Sequence, residues 1–196
     1  KSVKGGRDES IYQPGWWPDG TLCFASDRTG WWLLYRWRDG RTEPVLAESP
    51  AVTEFGRPQW LFGSATWAWA GAGRLAVTVT SRGRWRVGVV DTHQGTMRTF
   101  DEDLEPSDWL AATGEHVVVA TGSPSQATEV VKIALATGAV TTLRVSSAGV
   151  LRTGDISEPE FLEFPTSGGR TAFALYYPPR NAAFRGLPGE KPPLLV

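Results

Sequence analysis

The residues that could carry covalent chemistry are few and lie far apart in the chain. The only cysteine is Cys23, and the two histidines are His93 and His116. A serine hydrolase needs a Gly-x-Ser-x-Gly elbow, which holds the serine on a sharp strand-to-helix turn. The nearest string is Val145-Ser146-Ser147-Ala148-Gly149, in which Val145 replaces the first glycine. We therefore interpret this string as a surface loop and not as an elbow.

The cysteine and the histidines are predicted to be structural. Cys23 falls in a predicted strand with no second cysteine to pair with, which indicates a buried thiol and favours a reducing cytoplasm. His93 is predicted to lie in a turn and His116 near the start of a strand. Neither has a catalytic or metal-binding motif at a characteristic distance along the sequence. These residues predict no nucleophile and no redox site.

Composition and motifs also argue against several classes of ligand. The sequence contains no His/Cys/Asp/Glu cluster with metal-ligand spacing and no glycine-rich phosphate loop, so we expect no metal and no cofactor. The net charge of -1 gives no electrostatic reason to bind nucleic acid or an anionic membrane. No apolar run approaches the roughly eighteen residues of a membrane span. The chain reads as a globular protein of 41% hydrophobic and 21% charged residues.

Two charged residues are the candidates for recognition. Glu54 and Arg57 flank Phe55-Gly56 in a predicted inter-blade loop, where they could pair with the amino or carboxyl terminus of a substrate. Solvated loop charges, or a local ion pair, would explain the same residues without a ligand.

A repeat provides the elements that would position such residues. Part of the box Gln13-Pro14-Gly15-Trp16-Trp17-Pro18-Asp19-Gly20 returns 53 residues later in the chain. The same shift carries Trp16 to Trp69, Gly20 to Gly73, Leu22 to Leu75, Gly30 to Gly83 and Trp32 to Trp85. A fixed period near fifty residues is typical of an array of supersecondary units. The repeat therefore predicts the blades of a β-propeller.

Turn residues divide each repeat into strands. Pro18-Asp19-Gly20 suits a type I turn, because proline pre-sets φ at its first central position. Arg28-Thr29-Gly30 is predicted to lead from a strand over residues 22–27 to another over 31–37, and Arg38-Asp39-Gly40 to close the next hairpin. The chain is thus predicted to be all-β, in antiparallel sheets of four strands.

A weaker third copy of the repeat follows. Gly114, the apolar run 117–120 and the turn Ala136-Thr137-Gly138 match the second copy at shifts a little over forty residues. Closed propellers have about four to eight blades, so we expect these three to be part of a larger protein. The ends fit that expectation, since residue 1 is lysine and Leu194-Leu195-Val196 reads as the start of a buried strand.

The chain has ten tryptophans, and four occupy repeat positions, namely Trp16, Trp32, Trp69 and Trp85. Flat bulky side chains at such positions are predicted to fill the space between packed blades. A carbohydrate-stacking platform is the alternative, and it would need the rings exposed on one surface.

The repeat stops after about Gly154. Residues 156–165 read as a strand, 166–169 as a turn and 170–177 as a second strand, before a Pro/Gly-rich loop delivers the chain to Leu194. This hairpin lies outside the blade register. We therefore predict one domain over residues 1–155 and the start of another over 156–196.

The order of these parts resembles the prolyl oligopeptidase family of serine peptidases. The resemblance covers nearly the whole chain and rests on the blades followed by three C-terminal segments. These are Glu163-Phe164-Pro165-Thr166-Ser167-Gly168-Gly169, Ala174-Leu175-Tyr176-Tyr177-Pro178-Pro179-Arg180-Asn181 and Lys191-Pro192-Pro193-Leu194-Leu195-Val196. It is most similar to bacterial members described as dipeptidyl aminopeptidases or acylaminoacyl peptidases.

The resemblance implies a propeller that caps an α/β-hydrolase domain and acts on short peptides. It implies that residues 1–155 are the C-terminal part of the propeller and that 156–196 are a linker and the first strands of the hydrolase. The strand at 194–196 would then lead into a His-Gly-Gly oxyanion loop, and the catalytic serine would lie beyond this chain. The implied partners are short peptides and the rest of its own hydrolase domain, with the oligomeric state open.

A second interpretation belongs to another functional class. A non-catalytic β-propeller would bind protein or carbohydrate through its loops and tryptophans. Residues 157–196 distinguish the two, because a binding propeller has no need of a hydrolase-like hairpin. The glutamate pair with which some family members grip a substrate amine is not matched by adjacent glutamates in this sequence, so dipeptidyl specificity is not carried over.

Overall fold

The computed structural model describes residues 4–49, 52–100, 104–147 and 152–196, and their regular structure is almost wholly antiparallel β. The first sheet comprises β1 (Ile11–Trp16), β2 (Leu22–Ser26), β3 (Leu33–Arg38) and β4 (Arg41–Pro44). The second comprises β5 (Thr53–Glu54), β6 (Trp67–Trp69), β7 (Arg74–Ser81), β8 (Arg84–Asp91) and β9 (Thr96–Thr99). The third comprises β10 (Glu105–Ala112), β11 (His116–Ser123), β12 (Gln126–Ala134) and β13 (Val140–Val145). The predicted partial β-propeller of three blades is confirmed.

The blades share one up-and-down order. The first and third sheets run β1-β2-β3-β4 and β10-β11-β12-β13, and in the second both β5 and β6 pair with β7 ahead of β8 and β9. The 53-residue shift holds residue by residue, because Leu22 pairs with Trp37 in the first blade and Leu75 pairs with Val90 in the second. The sequence repeat is therefore a structural repeat.

The first strand of every blade is interrupted at a similar level. In β1 the register shifts between Tyr12 and Gly15, and in β10 it shifts between Pro106 and Leu110. In the second blade the interruption is an insertion, residues 55–66, which separates β5 from β6. Bulges of this kind bend a strand and redirect its side chains.

Packing between blades follows the two faces of the sheets. Leu75, Val77 and Val79 of β7 face the first blade, whereas Ala76 belongs to the core shared with the third. The first shared core contains Tyr12, Trp17, Cys23, Ala25, Leu34, Val45, Leu46, Phe55, Trp67, Leu75, Val77, Val79 and Val90. The second contains Ala70, Ala76, Val87, Phe100, Leu104, Leu110, Val117, Val119, Val131, Ile133 and Leu135. The hydrophobic cores lie between blades because successive residues of a strand point to opposite faces.

The predicted structural roles of the cysteine and of the first turn are confirmed. Cys23 is fully buried in the core between the first two blades, and burial raises the pKa of its thiol to about 12. The Gly20 N–H donates to the Trp17 carbonyl at 3.0 Å, which closes the turn at Pro18-Asp19. The Thr21 N–H donates to the Asp19 carboxylate at 2.9 Å, and that bond lowers the pKa of Asp19.

Two of the four repeat-position tryptophans pack against a shared core as predicted, whereas Trp16 and Trp85 belong to neither core. Trp32 and Trp69 pack against the first shared core, but Trp16 is 65% exposed. Its neighbour Trp17 is 6% exposed and lies 5.1 Å from Trp69, ring centre to ring centre. Because side chains alternate along a strand, Trp17 enters the core shared with the second blade and Trp16 points away from that core.

The C-terminal segment forms the predicted hairpin but not the predicted last strand. β14 (Glu160–Pro165) pairs with β15 (Thr171–Tyr176), and two short 3-10 turns occur at Thr153–Asp155 and Ser167–Gly169. Leu194, Leu195 and Val196 form no strand and are 74%, 95% and 118% exposed, so the prediction of a buried strand is wrong for this structure. An apolar run becomes a buried strand only where neighbouring strands pair with it, and no described strand lies beside this one. The domain division at residue 155 stays a prediction.

Gln13, the first residue of the repeated box, links the first blade to the second through hydrogen bonds. The Gln13 side chain accepts hydrogen bonds from the N–H groups of Thr66 and Trp67, at 2.7 and 3.2 Å, and donates to the Trp67 carbonyl at 2.7 Å. The Trp67 indole N–H in turn donates to the Gln13 carbonyl at 3.2 Å. Gly15 gives room to this indole, because a Cβ there would lie 2.8 Å from the Trp67 ring. The box therefore joins the first strands of two blades.

We expect Gln13→Ala to destabilise the protein by about 1–3 kcal/mol, because buried backbone groups at Thr66 and Trp67 would lose their partner. Urea unfolding of the natural protein measures the change. The matched control is Gln126→Ala, which removes an exposed glutamine from the start of β12 and should change the unfolding free energy by less than about 0.5 kcal/mol. Equal effects of the two substitutions would show that Gln13 does not join the blades.

Candidate functional site

One rim of the blades carries the C-terminal hairpin. The Arg84 guanidinium lies 4.9 Å from the centre of the Phe161 ring, and Arg82 forms an ion pair with Glu163 at 3.9 Å. Both arginines belong to the β7–β8 turn region, so the hairpin touches the end of the second blade at this turn. We call this end the hairpin rim, and the opposite end of the blades the far rim.

Glu54 lies at the hairpin rim, in β5. It pairs with Thr80 near the end of β7, and its carboxylate accepts a hydrogen bond from the Trp32 N–H at 3.4 Å. The side chain is half-buried, and burial raises the pKa of its carboxyl, although the Trp32 N–H acts in the other direction. Glu54 was predicted to lie in an inter-blade loop, whereas the structure places it in the first strand of the second blade.

Arg57 lies in the insertion that follows β5 and joins the second blade to the third. Its guanidinium donates to the Pro106 carbonyl of β10 at 2.6 Å and stacks 3.6 Å from the centre of the Trp85 ring. A cation–π contact of this kind contributes about 0.5–2 kcal/mol. Gly56 sets the path of the chain here, because a Cβ would lie 2.6 Å from the Trp32 ring. Arg57 is thus held in place on two sides.

An open cleft adjoins Arg57 between the second and third blades. Its volume is about 330 Å³, and its lining includes Arg57, Trp85, Glu105, Thr121, Thr128 and Tyr177. Glu105 forms an ion pair with Arg84 at 3.2 Å. The cleft therefore offers a guanidinium, hydroxyl groups and aromatic faces at the hairpin rim, a combination that suits a polar ligand with an apolar side chain.

The two histidines and the Val145–Ser146 string lie apart from Glu54 and Arg57. His93 packs against Gly73 in the β8–β9 turn and His116 opens β11, so both lie near the far rim. Val145 ends β13 and the Ser146 N–H donates to the Thr128 carbonyl, while Ala148 and Gly149 fall outside the described residues. Within the described ranges no group of three or more His, Cys, Asp or Glu residues could hold a metal ion.

A larger cavity of about 500 Å³ lies at the far rim, between the first two blades. Trp17 and Trp69 line it together with charged side chains. Several of those charges form ion pairs within the first blade, since Arg36 pairs with Glu43 and Arg38 with Asp19, each at 3.3 Å. Arg36 also donates to the Thr92 carbonyl of the second blade at 3.0 Å. This arrangement joins the two blades.

The sequence reasoning missed the tip of the insertion. Trp60, Leu61 and Phe62 are 87%, 60% and 106% exposed, and Gly63 follows with φ of 80° in the turn. Three consecutive large apolar residues directly before a glycine were the signal that could have revealed an exposed apolar loop.

Comparison with solved structures gives close matches over nearly the whole chain. A puromycin hydrolase matches with 31% identity and a TM-score of 0.86, and a puromycin-hydrolyzing peptidase from Mycobacterium tuberculosis with 32% identity and a TM-score of 0.85. Each match covers 98% of this chain and 29% of the other. The chain therefore spans less than a third of the length of these proteins.

A more distant match supports the fold alone. Prolyl oligopeptidase B from Galerina marginata matches with 9% identity and a TM-score of 0.64, over 88% of this chain and 24% of that protein. No protein-family model and no curated protein matches the chain significantly. No helix among the described residues is long and apolar enough to cross a membrane.

We expect Glu54→Gln to raise the melting temperature at neutral pH, because the amide keeps an acceptor for the Trp32 N–H without placing a charge in a half-buried site. The folded state holds the Glu54 proton more tightly than the unfolded state. The wild type therefore loses stability as pH rises from the pKa of this carboxyl in the unfolded state to its higher pKa in the folded state. The advantage of the variant should shrink on acidification and vanish below the ordinary pKa of 4.5.

Melting curves of both proteins between about pH 3.5 and 8, a range that includes the ordinary pKa of carboxyl groups, measure this trend. Glu160→Gln, which removes an exposed carboxylate from β14, controls for the loss of one surface charge. A Glu54→Gln advantage that grows toward acid pH would contradict the assigned cause.

Proposed function

We propose, on the premise that this chain is a propeller-bearing segment of the prolyl oligopeptidase family, that the natural protein is a serine peptidase acting on short peptides. The observation that carries the proposal is the match to puromycin-hydrolysing peptidases at 31–32% identity over 98% of the chain. That match includes the C-terminal hairpin as well as the blades.

In this proposal the 196 residues supply the walls of the site and not its chemistry. A serine, an acid and a histidine from another part of the protein would cut the bond, with backbone N–H groups holding the oxyanion. The blades would limit entry to slender, flexible chains. An oligopeptidase or exopeptidase with no activity on folded proteins follows from that restriction.

Glu54 and Arg57 are proposed to contact the substrate at the hairpin rim. The Glu54 carboxylate accepts a hydrogen bond from the Trp32 N–H, and because a carboxylate accepts several such bonds it suits the amino terminus of a peptide. The Arg57 guanidinium carries five N–H donors and is held by Pro106 and Trp85 in a fixed orientation, which suits a carbonyl or carboxylate.

We also propose a cytoplasmic location. The support for it is the single buried thiol, which forms no disulfide and fits a reducing compartment.

We expect the natural protein to cleave short chromogenic peptides and to lose that activity with a serine-directed inhibitor. Residues 1–196 alone should show none, because their sequence contains no Gly-x-Ser-x-Gly elbow. Folded proteins should resist cleavage under the same conditions. Release of product in a stopped assay measures each of these outcomes.

Two outcomes would contradict this function. Inhibitor-sensitive hydrolysis by the 196 residues alone would place the nucleophile within them. A natural protein that binds protein or carbohydrate but cleaves no peptide would support the non-catalytic propeller instead.

We expect Glu54→Gln to lower kcat/KM for peptides with a free amino terminus by about tenfold, because one charge-assisted hydrogen bond contributes about 1.5–3 kcal/mol. The same peptides with an acetylated amino terminus should be cut equally well by variant and wild type. An equal loss on both sets would show that Glu54 does not bind the amine.

A further inference from the structure

The tip of the insertion, which we define as Trp60-Leu61-Phe62, is apolar surface that the three described blades do not cover. The side chains are 87%, 60% and 106% exposed, and none of the three belongs to either shared core. Exposed apolar surface of this size costs about 25 cal/mol per Å² relative to burial. Contiguous exposed apolar residues of this kind mark sites of interaction.

The base of the insertion is fixed to the first strands of all three blades. Gln59 donates to the Ile11 carbonyl of β1 at 3.1 Å, and Arg57 donates to the Pro106 carbonyl of β10 at 2.6 Å. At the other end of the insertion, Thr66 is held by Gln13. The tip is therefore presented from a supported base, as a binding group should be.

The tip also lies beside a surface formed by the first strands of the three blades, which we call the wall. Gln13 joins β1 to β6 and Arg57 joins the insertion to β10, so these strands stand side by side along one surface. The insertion leaves this wall directly after Glu54, at the hairpin rim. The apolar tip and the two charged residues thus share one short stretch of chain.

This combination fits one kind of occupant. A carboxylate, a guanidinium and two exposed aromatic rings on one segment supply partners for a peptide terminus, for a carbonyl group and for an apolar side chain. Aromatic rings bind one another in stacked or edge-to-face contacts worth about 0.5–1.5 kcal/mol beyond the area that they bury. We propose that Trp60 and Phe62 form a subsite for an aromatic side chain of the peptide substrate.

The proposal rests on the peptidase function proposed above, and it assigns to the insertion a role in choosing among peptides. Leu61, between the two rings, widens the apolar surface. The ring contact would add to binding without touching the bond that is cut, so its effect belongs to KM and not to kcat.

The test uses the natural protein and a set of tetrapeptides in which one phenylalanine moves through an otherwise all-alanine chain. We expect the wild type to prefer phenylalanine by about tenfold in kcat/KM at one position, through KM, and Trp60→Ala with Phe62→Ala to reduce this preference below about twofold. Trp60→Phe should restore much of it. At the other positions of the tetrapeptide, the tip variants should keep whatever preference the wild type shows.

Trp16→Ala is the matched control, because Trp16 is also an exposed tryptophan on a first strand but lies at the far rim. It should leave every tetrapeptide unaffected. All of these side chains are exposed, so the variants should fold, and circular dichroism checks that they do.

The outcomes separate the two proposals. Equal loss on every peptide, the all-alanine one included, would mean that the tip packs against another part of the protein, and it would overturn the subsite. An unchanged preference profile would overturn it as well. Failure of the wild type to cut any peptide in the set would overturn the peptidase function, and the subsite with it.

Discussion

Each β-sheet of this protein must be covered on both faces, and it is the neighbouring blades that cover them. The second blade shows this requirement most directly, because alternate residues of β7 enter different cores. Leu75, Val77 and Val79 meet the first blade, and Ala76 meets the third. A strand with apolar residues on both sides cannot stand alone in water, so the blades depend on one another for stability. The tilt and spacing of the blades follow from what fills these two cores.

Polar contacts fix the register between blades once the cores have brought them together. Arginines reach from one blade to a backbone carbonyl of the next at several levels, namely Arg36 to Thr92, Arg57 to Pro106, Arg74 to Gly114 and Arg98 to Leu135. A guanidinium suits this task because it carries several donors in a rigid plane. At the hairpin rim, Arg57 serves both as such a tie and as a wall of the cleft. The candidate site is therefore built from the same contacts that hold the blades together.

The periodicity of the sequence was sufficient to predict the blades, because a strand needs a turn and an alternation of apolar residues, and both are visible in the residues themselves. The pairing of Leu22 with Trp37 and of Leu75 with Val90 is the 53-residue shift seen in three dimensions. Contacts between blades decided which side chains are buried where the sequence pattern did not. Of the adjacent Trp16 and Trp17, the pattern gave no reason to choose the second as the buried one.

The candidate site was only partly predictable for a related reason. Glu54 and Arg57 were identified as charged residues near a blade boundary, but the short β5 and the insertion behind it depend on pairing with the C-terminal end of β7. Such a two-residue strand leaves no periodic signal. The contact of Arg57 with Trp85 joins residues remote in sequence, which no local pattern predicts.

In the second blade the first strand is divided into β5 and β6, and this division allows the chain between the two pieces to vary during evolution. Both pieces pair independently with β7, so the register of the blade does not depend on the length of chain between them. Doubling the length of a flexible loop costs only about 0.6 kcal/mol of closure entropy. Residues 58–65 can therefore lengthen, shorten or change composition by mutation while the scaffold persists. Selection could alter ligand preference at this position in small steps, without passing through an unstable intermediate.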